Sequence, residues 1–218
     1  MRRIGVHTSI AGGLHLSLER AHALGCNTLQ IFSHNPRGWD VKILSDREAS
    51  RFRSLRAERD ISPVFIHASY LVNLASRDGA LRRKSVGMLV TEMERADKIG
   101  ADYVILHTGI CWDTCHAFAA GYDIRETVVA DMISSEMEKY IGLDSLKLIH
   151  LNDSKGEAGA GVDRHEHIGL GNIGISALSR FINRRAFRNI PLILETPKKN
   201  EADDLINLAK VRKMTISQ

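Results

Sequence analysis

The chain has 218 residues, of which 44% are hydrophobic and 26% are charged, and its formal net charge is +4 with a pI of about 9.0. This composition is that of an ordinary globular protein with one substantial core. It argues against a membrane protein, because no apolar run approaches the length of a membrane span. The mild basicity is compatible with a phosphate-rich partner but does not by itself indicate nucleic acid.

The N-terminus and the cysteines both bear on cellular location. The chain enters a strand-like run at Ile4, so we expect no signal peptide. Its three cysteines, Cys26, Cys111 and Cys115, follow neither a disulfide pattern nor zinc-finger spacing. We therefore expect a cytoplasmic protein with reduced thiols and no membrane partner, in which Cys111 and Cys115 serve packing.

Strand and helix patterns alternate along the chain without a domain linker. Helices are indicated by apolar periodicity, by a glycine after the last turn, and by a capping box at Ser45 and Glu48. The predicted elements, in order, are strand Ile4–Thr8, helix Leu14–Leu24, strand Thr28–Phe32, helix Ser45 to about Arg59, strand Val64–Ile66, helix Leu81–Ile99, strand Tyr103–Leu106, helix Arg125–Tyr140, strand Leu146–Leu151, helix Ile175–Asn183, strand Leu192–Leu194 and helix Ala202–Val211. Repeated βα units with buried strands predict one α/β domain over residues 1–218, with a parallel sheet that closes most naturally as a (β/α) barrel.

Five apolar runs end in a residue type that binds metal ions. These residues are His67, His107, Asp113, His150 and Glu195. Parallel α/β proteins place their chemistry at the carboxyl ends of strands, so such side chains can converge on one point. A single histidine at such a place is more often a hydrogen-bonded structural residue, but several together favour a metal cluster. Nitrogen and oxygen ligands in this mixture suit zinc, manganese or iron.

Two further carboxylate–imidazole pairs could add ligands. Asp113 and His116 are three residues apart, which places them one turn apart if the backbone is helical. Asp163 and His165 lie close together in a glycine-rich region that we expect to be a loop. The alternatives are an N-cap aspartate with a surface histidine in the first case, and solvated loop charges in the second.

Two loops invite a functional interpretation. Gly169–Gly174 matches a dinucleotide-binding fingerprint by its letters, but no strand precedes it, so we interpret it as a loop that opens the helix at Ile175. In the segment Asn35–Trp39, an exposed Arg37 beside an aromatic residue could enter a nucleic-acid groove or stack on a base. A surface loop with Trp39 in the core is the equally good alternative.

Long, specific runs of the chain resemble the endonuclease IV family, the apurinic/apyrimidinic (AP) endonucleases of base-excision repair. The resemblance covers nearly the whole chain. It is carried by Ile4-Gly-Val-His-Thr-Ser, His67-Ala-Ser-Tyr-Leu-Val-Asn-Leu, Asp113-Thr-Cys-His-Ala-Phe-Ala-Ala-Gly-Tyr-Asp, His150-Leu-Asn-Asp-Ser-Lys, Val162-Asp-Arg-His-Glu-His-Ile-Gly and Pro191-Leu-Ile-Leu-Glu-Thr.

The resemblance implies a TIM barrel that carries three zinc ions and hydrolyses the DNA phosphodiester 5′ to an abasic site, leaving a 3′-hydroxyl. The chemistry that it implies is in-line attack on phosphorus by water, with metal ions neutralising the phosphate oxygens. The partner that it implies is double-stranded DNA with abasic sites.

The same resemblance assigns roles to single residues. His116, Asp163 and His165 resemble the ligands of one zinc. Asp113, His150 and Glu195 resemble those of a second and are the expected catalytic residues. His67 and His107 resemble ligands of a third. Asn35, Arg37 and Tyr70 resemble residues that contact or wedge the DNA.

The chain departs from the family between His107 and Asp113. Relatives place several dozen residues there, including a strand that ends in a zinc-bridging glutamate, whereas this chain has five residues and no such motif. Two parallel strands need a crossover of about a dozen residues, so either Tyr103–Trp112 forms one fused or bent segment or a strand is missing. We infer an internal deletion, a shortened or open barrel of about six strands instead of eight, and fewer than three bound zinc ions.

Three functions follow from these observations. The first is a zinc-dependent AP endonuclease, active or impaired. The second is a non-catalytic zinc- and DNA-binding remnant of the family. The third is a metal-dependent sugar isomerase or epimerase of a related barrel, which the specific motifs disfavour. We expect a monomer, with association through exposed strand edges as the alternative.

Overall fold

The computed structural model describes residues 2–106 and 111–215. Helices follow most of the parallel strands, as the sequence predicts, and the helix Thr114–Ala119 and the short strands Asp153–Ser154 and His165–Glu166 occur in addition to the predicted elements. The strands are β1 Ile4–Val6, β2 Leu29–Ile31, β3 Val64–His67, β4 Tyr103–Ile105, β5 Cys111–Asp113, β6 Leu148–His150, β7 Asp153–Ser154, β8 His165–Glu166 and β9 Leu192–Leu194. The helices are α1 Leu14–Ala23, α2 Asp46–Glu58, α3 Gly79–Ile99, α4 Thr114–Ala119, α5 Thr127–Tyr140, α6 Ile175–Ile182 and α7 Glu201–Met214, and a 3₁₀ turn spans Leu143–Ser145.

One compact unit, the three-stranded unit, comprises His7–Leu106. Its parallel sheet has the order β2-β3-β4, and every side chain of β2 and β3 is buried. The helix boundaries follow local chemistry. Ser45 accepts a hydrogen bond from the Glu48 backbone N–H (3.2 Å) at the start of α2, and Gly100 ends α3 in the left-handed conformation.

The other compact unit, the four-stranded unit, comprises Met1–Val6 with His107–Gln218. Its parallel sheet has the order β1-β9-β6-β5, and the short strands β7 and β8 form a separate antiparallel pair. The apolar side chains of this sheet, such as those of Leu148 and Leu192, are buried. Burial of both sheet faces explains why these strands read as continuous apolar runs rather than as alternating ones.

The fold class is confirmed. Parallel strands alternate with helices, and the described residues hold seven parallel strands, fewer than the eight of a complete TIM barrel. No helix in residues 2–106 or 111–215 is long and apolar enough to cross a membrane. The organisation as a single domain remains a prediction.

Three local expectations need correction or restriction. The fused strand over Tyr103–Trp112 is wrong, because β4 ends at Ile105 and β5 begins at Cys111 in a different sheet. The strand expected to run to Leu106 is therefore one residue shorter, and His107 lies outside the described residues. His165, expected in a loop, lies in the hairpin strand β8, where it pairs with Ser154.

Candidate metal centre

Three neighbouring strands of the four-stranded unit bring Asp113, His150 and Glu195 to one edge of the sheet. β5 and β6 run parallel in a register that places Asp113 beside His150. β9 pairs with β6 on its other side and ends at Leu194, one residue before Glu195. The expectation that ligand-type residues follow buried strands therefore holds at this edge, because parallel neighbours end at the same level.

These three side chains form a first cluster. His150 Nδ1 lies 3.2 Å from Glu195 Oε2 and 3.6 Å from Asp113 Oδ2. His150 is completely buried, and Asp113 is nearly so. One ligand atom from each lies within 4.8 Å of the others, a spacing that a single metal ion can span.

A second cluster shares Asp113 with the first. His116 lies between two carboxylates, with Nδ1 3.1 Å from Asp113 Oδ2 and Nε2 2.8 Å from Asp163 Oδ2. His165 Nε2 is 3.5 Å from Asp163 Oδ1 and 3.6 Å from Asp113 Oδ2. The structure thus brings together the trio His116, Asp163 and His165 and joins it to the first cluster through Asp113.

Asp113 combines a structural and a site role. Its Oδ1 accepts hydrogen bonds from the backbone N–H groups of Cys115 (2.8 Å) and His116 (3.1 Å), which makes it the N-cap of α4. Its Oδ2 faces the imidazoles and also accepts a hydrogen bond from Asn152 Nδ2 (3.1 Å). The N-cap alternative and the ligand interpretation are therefore compatible, because each uses a different oxygen.

Hydrogen bonds orient His165 for a ligand at one defined nitrogen. Its Nδ1–H donates to the Glu195 carbonyl oxygen (3.0 Å). In the neutral ring this leaves the lone pair on Nε2, the atom that faces Asp113 and Asp163. Nε2 is buried, and the carboxylate oxygens nearest to it, 3.5 Å away on Asp163 and 3.6 Å away on Asp113, lie at or just beyond the limit of hydrogen-bond distance. An oriented imidazole with such an atom beside two carboxylates fits a metal ligand.

The electrostatics of the clusters show how strongly the carboxylates and imidazoles interact. Hydrogen bonds to Asp113 and Asp163 raise the pKa of His116 to about 10. Burial lowers the pKa of His165, but the hydrogen bond to Asp163 and the charge of Asp113 outweigh it and raise the pKa to about 9. Burial likewise opposes charge on His150, yet Glu195 raises its pKa well above the usual value.

The carboxylates respond in the opposite direction. Burial would raise the pKa of Asp113, but hydrogen bonds from His116 and His150 hold it well below its usual value. Burial would also raise the pKa of Asp163, and the hydrogen bonds from His116 and His165 lower it instead. Protons on the imidazoles therefore balance the carboxylates here, in the place that a cation would occupy.

Cys115 lies close to the second cluster. Its sulfur is within 4.8 Å of ligand atoms of Asp163 and His165, and the residue is fully buried. Burial raises the pKa of the thiol to about 12. The role of Cys115 as a packing residue stays a prediction, because its sulfur lies within reach of the same ligand atoms.

Asn152 and Asp153, which follow β6, support the site, although the sequence alone predicts no role for them. Asn152 is fully buried, and its Oδ1 accepts from the Glu195 backbone N–H (2.9 Å) while its Nδ2 donates to Asp113. Asp153 accepts hydrogen bonds from the backbone N–H groups of Gly169 (2.9 Å), Ile173 (3.0 Å) and Gly174 (3.2 Å). Their position two and three residues after His150 was the available signal.

The contacts of Asp153 also explain the glycine-rich segment Gly169–Gly174. Its backbone N–H groups surround an internal carboxylate rather than an external phosphate. A Cβ at Gly171 would collide with the Ser154 carbonyl oxygen and lie 2.6 Å from Asp153 Oδ1. Only glycine allows this close approach, which accounts for the misleading resemblance to a dinucleotide fingerprint.

An open cleft of about 360 Å³ borders the metal-ligand candidates. It is lined by Lys155, Asp163, Arg164, His165, Glu195 and Pro197. Lys155 and Arg164 place two positive charges beside the carboxylates, a combination that suits an anionic substrate next to a cation.

The remaining predicted site residues belong to the three-stranded unit. His67 ends β3, is 5% exposed, and donates from Nδ1 to the Ala68 carbonyl oxygen (2.7 Å). Its ring centroid is 5.8 Å from that of Tyr70, which is 65% exposed. Asn35 and Arg37 are exposed in the loop after β2. The pairing of His67 with His107 cannot be described, because His107 lies outside the described residues.

Comparison with known proteins identifies the family. The sequence profile of the family described as "Xylose isomerase-like TIM barrel" matches residues 18–110 and 107–213. The chain is 36% identical over 276 aligned positions to the "Probable endonuclease 4" of Methanoculleus marisnigri, covering 97% of this chain and 98% of that protein. It is 35% identical over 275 positions to the protein of the same name from Halothermothrix orenii, covering 95% and 99%. The chain belongs to the endonuclease IV family.

Solved structures agree with this assignment. The crystal structure of endonuclease IV from Thermus thermophilus superimposes with a TM-score of 0.88 at 32% identity, covering 97% of this chain and 98% of that one. A D-psicose 3-epimerase matches with a TM-score of 0.60 at only 11% identity, a likeness that shows the fold alone.

The comparisons also bear on the deletion. An alignment of 276 positions exceeds the 218 residues of this chain, so the relative carries residues that this chain lacks. The two matched parts of the family profile meet at residues 107–110. The internal deletion is thereby confirmed at the predicted place.

Proposed function

We propose that this chain is a zinc-dependent AP endonuclease of base-excision repair, which hydrolyses the DNA phosphodiester 5′ to an abasic site and leaves a 3′-hydroxyl. The observation that carries the proposal is the convergence of two ligand sets on Asp113, at the carboxyl edge of a parallel sheet in a member of the endonuclease IV family. The partner is double-stranded DNA that contains an abasic site.

The donor set fits zinc. Histidine nitrogen and carboxylate oxygen are ordinary zinc ligands, and His165 is fixed in the tautomer that a ligand needs. We assign His116, Asp163 and His165 to one ion, and Asp113, His150 and Glu195 to a second. Bound zinc would supply the activation of water and the neutralisation of phosphate charge.

The residues of the chain have roles of their own in this proposal. Lys155 and Arg164 line the cleft and would hold a phosphate of the DNA against the centre. Asn152 fixes the carboxylate of Asp113 and the backbone of Glu195 at the same time. Among the residues that the structure describes, those that line the cleft include no serine, threonine or cysteine, and water is the nucleophile that we propose.

The missing segment limits the activity that we propose. The family resemblance implies a zinc-bridging glutamate from a strand within the part that this chain lacks, and the third pair, His67 and His107, has no carboxylate beside it in sequence. We therefore propose fewer than three zinc ions and incision slower than that of full-length relatives. We also propose that the protein is a cytoplasmic monomer.

A second function, a non-catalytic zinc- and DNA-binding remnant, is favoured by this same deletion. Incision of a duplex oligonucleotide with one abasic site, by zinc-loaded protein, separates the two. We expect cleavage on the 5′ side of the abasic site, absent in a His116→Ala variant that still binds the duplex. Binding without cleavage by the wild-type chain would establish the remnant instead. Turnover of a ketose without DNA would indicate the epimerase class, which is supported here by the shared fold alone.

A further inference from the structure

A buried carboxylate in the middle of α3 has no place in the metal centre. Glu92 is 1% exposed and belongs to the three-stranded unit. Its Oε1 accepts a hydrogen bond from the Ser69 backbone N–H (2.9 Å) and is also hydrogen-bonded to His34 Nε2 (3.0 Å). Burial of a carboxylate is unfavourable unless such bonds stabilise it. Ser69 and His34 both lie in loops that follow strands, His34 after β2 and Ser69 after β3.

His34 connects Glu92 to the loop after β2 through hydrogen bonds at both ring nitrogens. Its ring is 7% exposed, and Nδ1 donates to the backbone carbonyl oxygen of Asn35 (2.9 Å). That oxygen also accepts from the Gly38 N–H (3.2 Å), and Asn35 Oδ1 accepts from the Arg37 N–H (3.2 Å). The ring is thus held between Glu92 and the turn that presents Asn35 and Arg37.

Ser69 does the same for the loop after β3 and joins the two loops. Its hydroxyl donates to the Pro36 carbonyl oxygen (2.8 Å) and accepts from the Leu71 N–H (3.2 Å). Tyr70, between Ser69 and Leu71, remains 65% exposed. The backbone on both sides of Tyr70 is therefore held in place, and the Tyr70 ring itself lies against Phe32, with ring centroids 5.1 Å apart.

We propose that Glu92 is a positioning residue that sets the spacing of the two loops presenting Asn35, Arg37 and Tyr70 to DNA. This inference rests on the proposed function, because only there do the three exposed residues contact DNA. One carboxylate oxygen of Glu92 is hydrogen-bonded to both loops. A substitution of Glu92 should therefore change the distance between the two loops and increase the mobility of each loop. Small displacements of contacting groups are enough to lower kcat/KM severely.

The test compares Glu92→Ala and Glu92→Gln with Glu94→Ala, an exposed glutamate on the same helix. Steady-state incision of the abasic duplex gives KM and kcat, and hydrogen–deuterium exchange without DNA reports on residues 33–38 and 69–71. We expect Glu92→Ala to raise KM about tenfold or more with little change in kcat, the pattern of lost substrate binding. Exchange should become faster in both loops. Glu92→Gln keeps a hydrogen-bonding side chain of the same shape beside Ser69 and His34 and should restore most of the affinity, and Glu94→Ala should behave as wild type.

A Ser69→Ala variant keeps the proposal testable if Glu92→Ala does not fold. It removes only the hydroxyl bonds to Pro36 and Leu71, leaves both bonds to Glu92, and should raise KM by a smaller factor. Faster exchange in both loops with an unchanged KM would overturn the positioning role while leaving the proposed function intact. Unchanged exchange in Glu92→Ala would overturn the inference directly. A wild-type chain that neither binds nor incises the duplex would overturn the proposed function, and with it the DNA contact assumed here.

Discussion

Asn152 offers the sharpest prediction about how the metal centre is built. It is fully buried and makes two bonds to neighbouring parts of the site: Nδ2 donates to Asp113 Oδ2, and Oδ1 accepts from the Glu195 N–H. Removal of a bond to a charged group costs about 1.5–3 kcal/mol, and removal of a neutral one costs about 0.5–1.5 kcal/mol. We therefore expect Asn152→Ala to lower the free energy of unfolding of the metal-free protein by roughly 2–4 kcal/mol.

The same change should weaken metal binding. Loss of a residue that orients a ligand lowers metal affinity by about 10–100-fold, which competition with a chromophoric chelator measures. Asn183→Ala is the matched control, because the Asn183 amide also donates hydrogen bonds, to the Ser179 carbonyl (2.9 Å) and the Met214 carbonyl (2.7 Å), away from the ligands. Urea unfolding of both variants gives the free energy of unfolding. If Asn152→Ala loses stability but binds zinc as tightly as Asn183→Ala, the orienting role is refuted.

Three further predictions follow from the geometry. His116 and His165 have pKa values of about 10 and about 9, and the pKa of His150 lies well above its usual value, so all three imidazoles carry protons near neutral pH without metal. Zinc binding at both ligand sets should therefore release about three protons, measured by calorimetry in buffers of different ionisation enthalpy; binding without proton release would contradict the arrangement. The raised pKa values of His116 and His165 also stabilise the folded metal-free protein, because protonation is more favourable in the folded state than in the unfolded state. This stabilisation is fully present below about pH 6.5 and should be lost as the pH rises through about 9 and about 10. Urea midpoints measured at several pH values will show the loss. Gly171→Ala should destabilise strongly, since its Cβ would collide with the Ser154 carbonyl oxygen, whereas Gly87→Ala on the open surface of α3 should stabilise by about 0.5–1 kcal/mol; equal melting temperatures would refute this contrast.

Much of the site could be predicted because it depends on where buried strands end. An apolar run followed by His67, Asp113 or His150 locates both the strand and the candidate ligand, and parallel register then places neighbouring strand ends together. The helix boundaries at Ser45 and Gly100 were equally predictable, because capping chemistry is local.

Other features depend on contacts between distant parts of the chain, and local patterns do not record them. The hairpin that carries His165 consists of two-residue strands without visible periodicity. The orientation of His165 depends on the carbonyl of Glu195, which is distant in sequence. The glycine-rich loop could be separated from a dinucleotide site but not explained, because its partner, Asp153, precedes it by many residues.

Incision of the abasic duplex as a function of added zinc, by the wild-type chain and by Asp113→Asn, tests the central claim most directly. The asparagine keeps an oxygen for the N-cap of α4 but removes the charge shared by both ligand clusters. We predict zinc-dependent cleavage 5′ to the abasic site by the wild type, and loss of both tight zinc binding and cleavage in a folded Asp113→Asn. Zinc-dependent cleavage that survives this substitution would show that the cluster around Asp113 is not the catalytic metal centre.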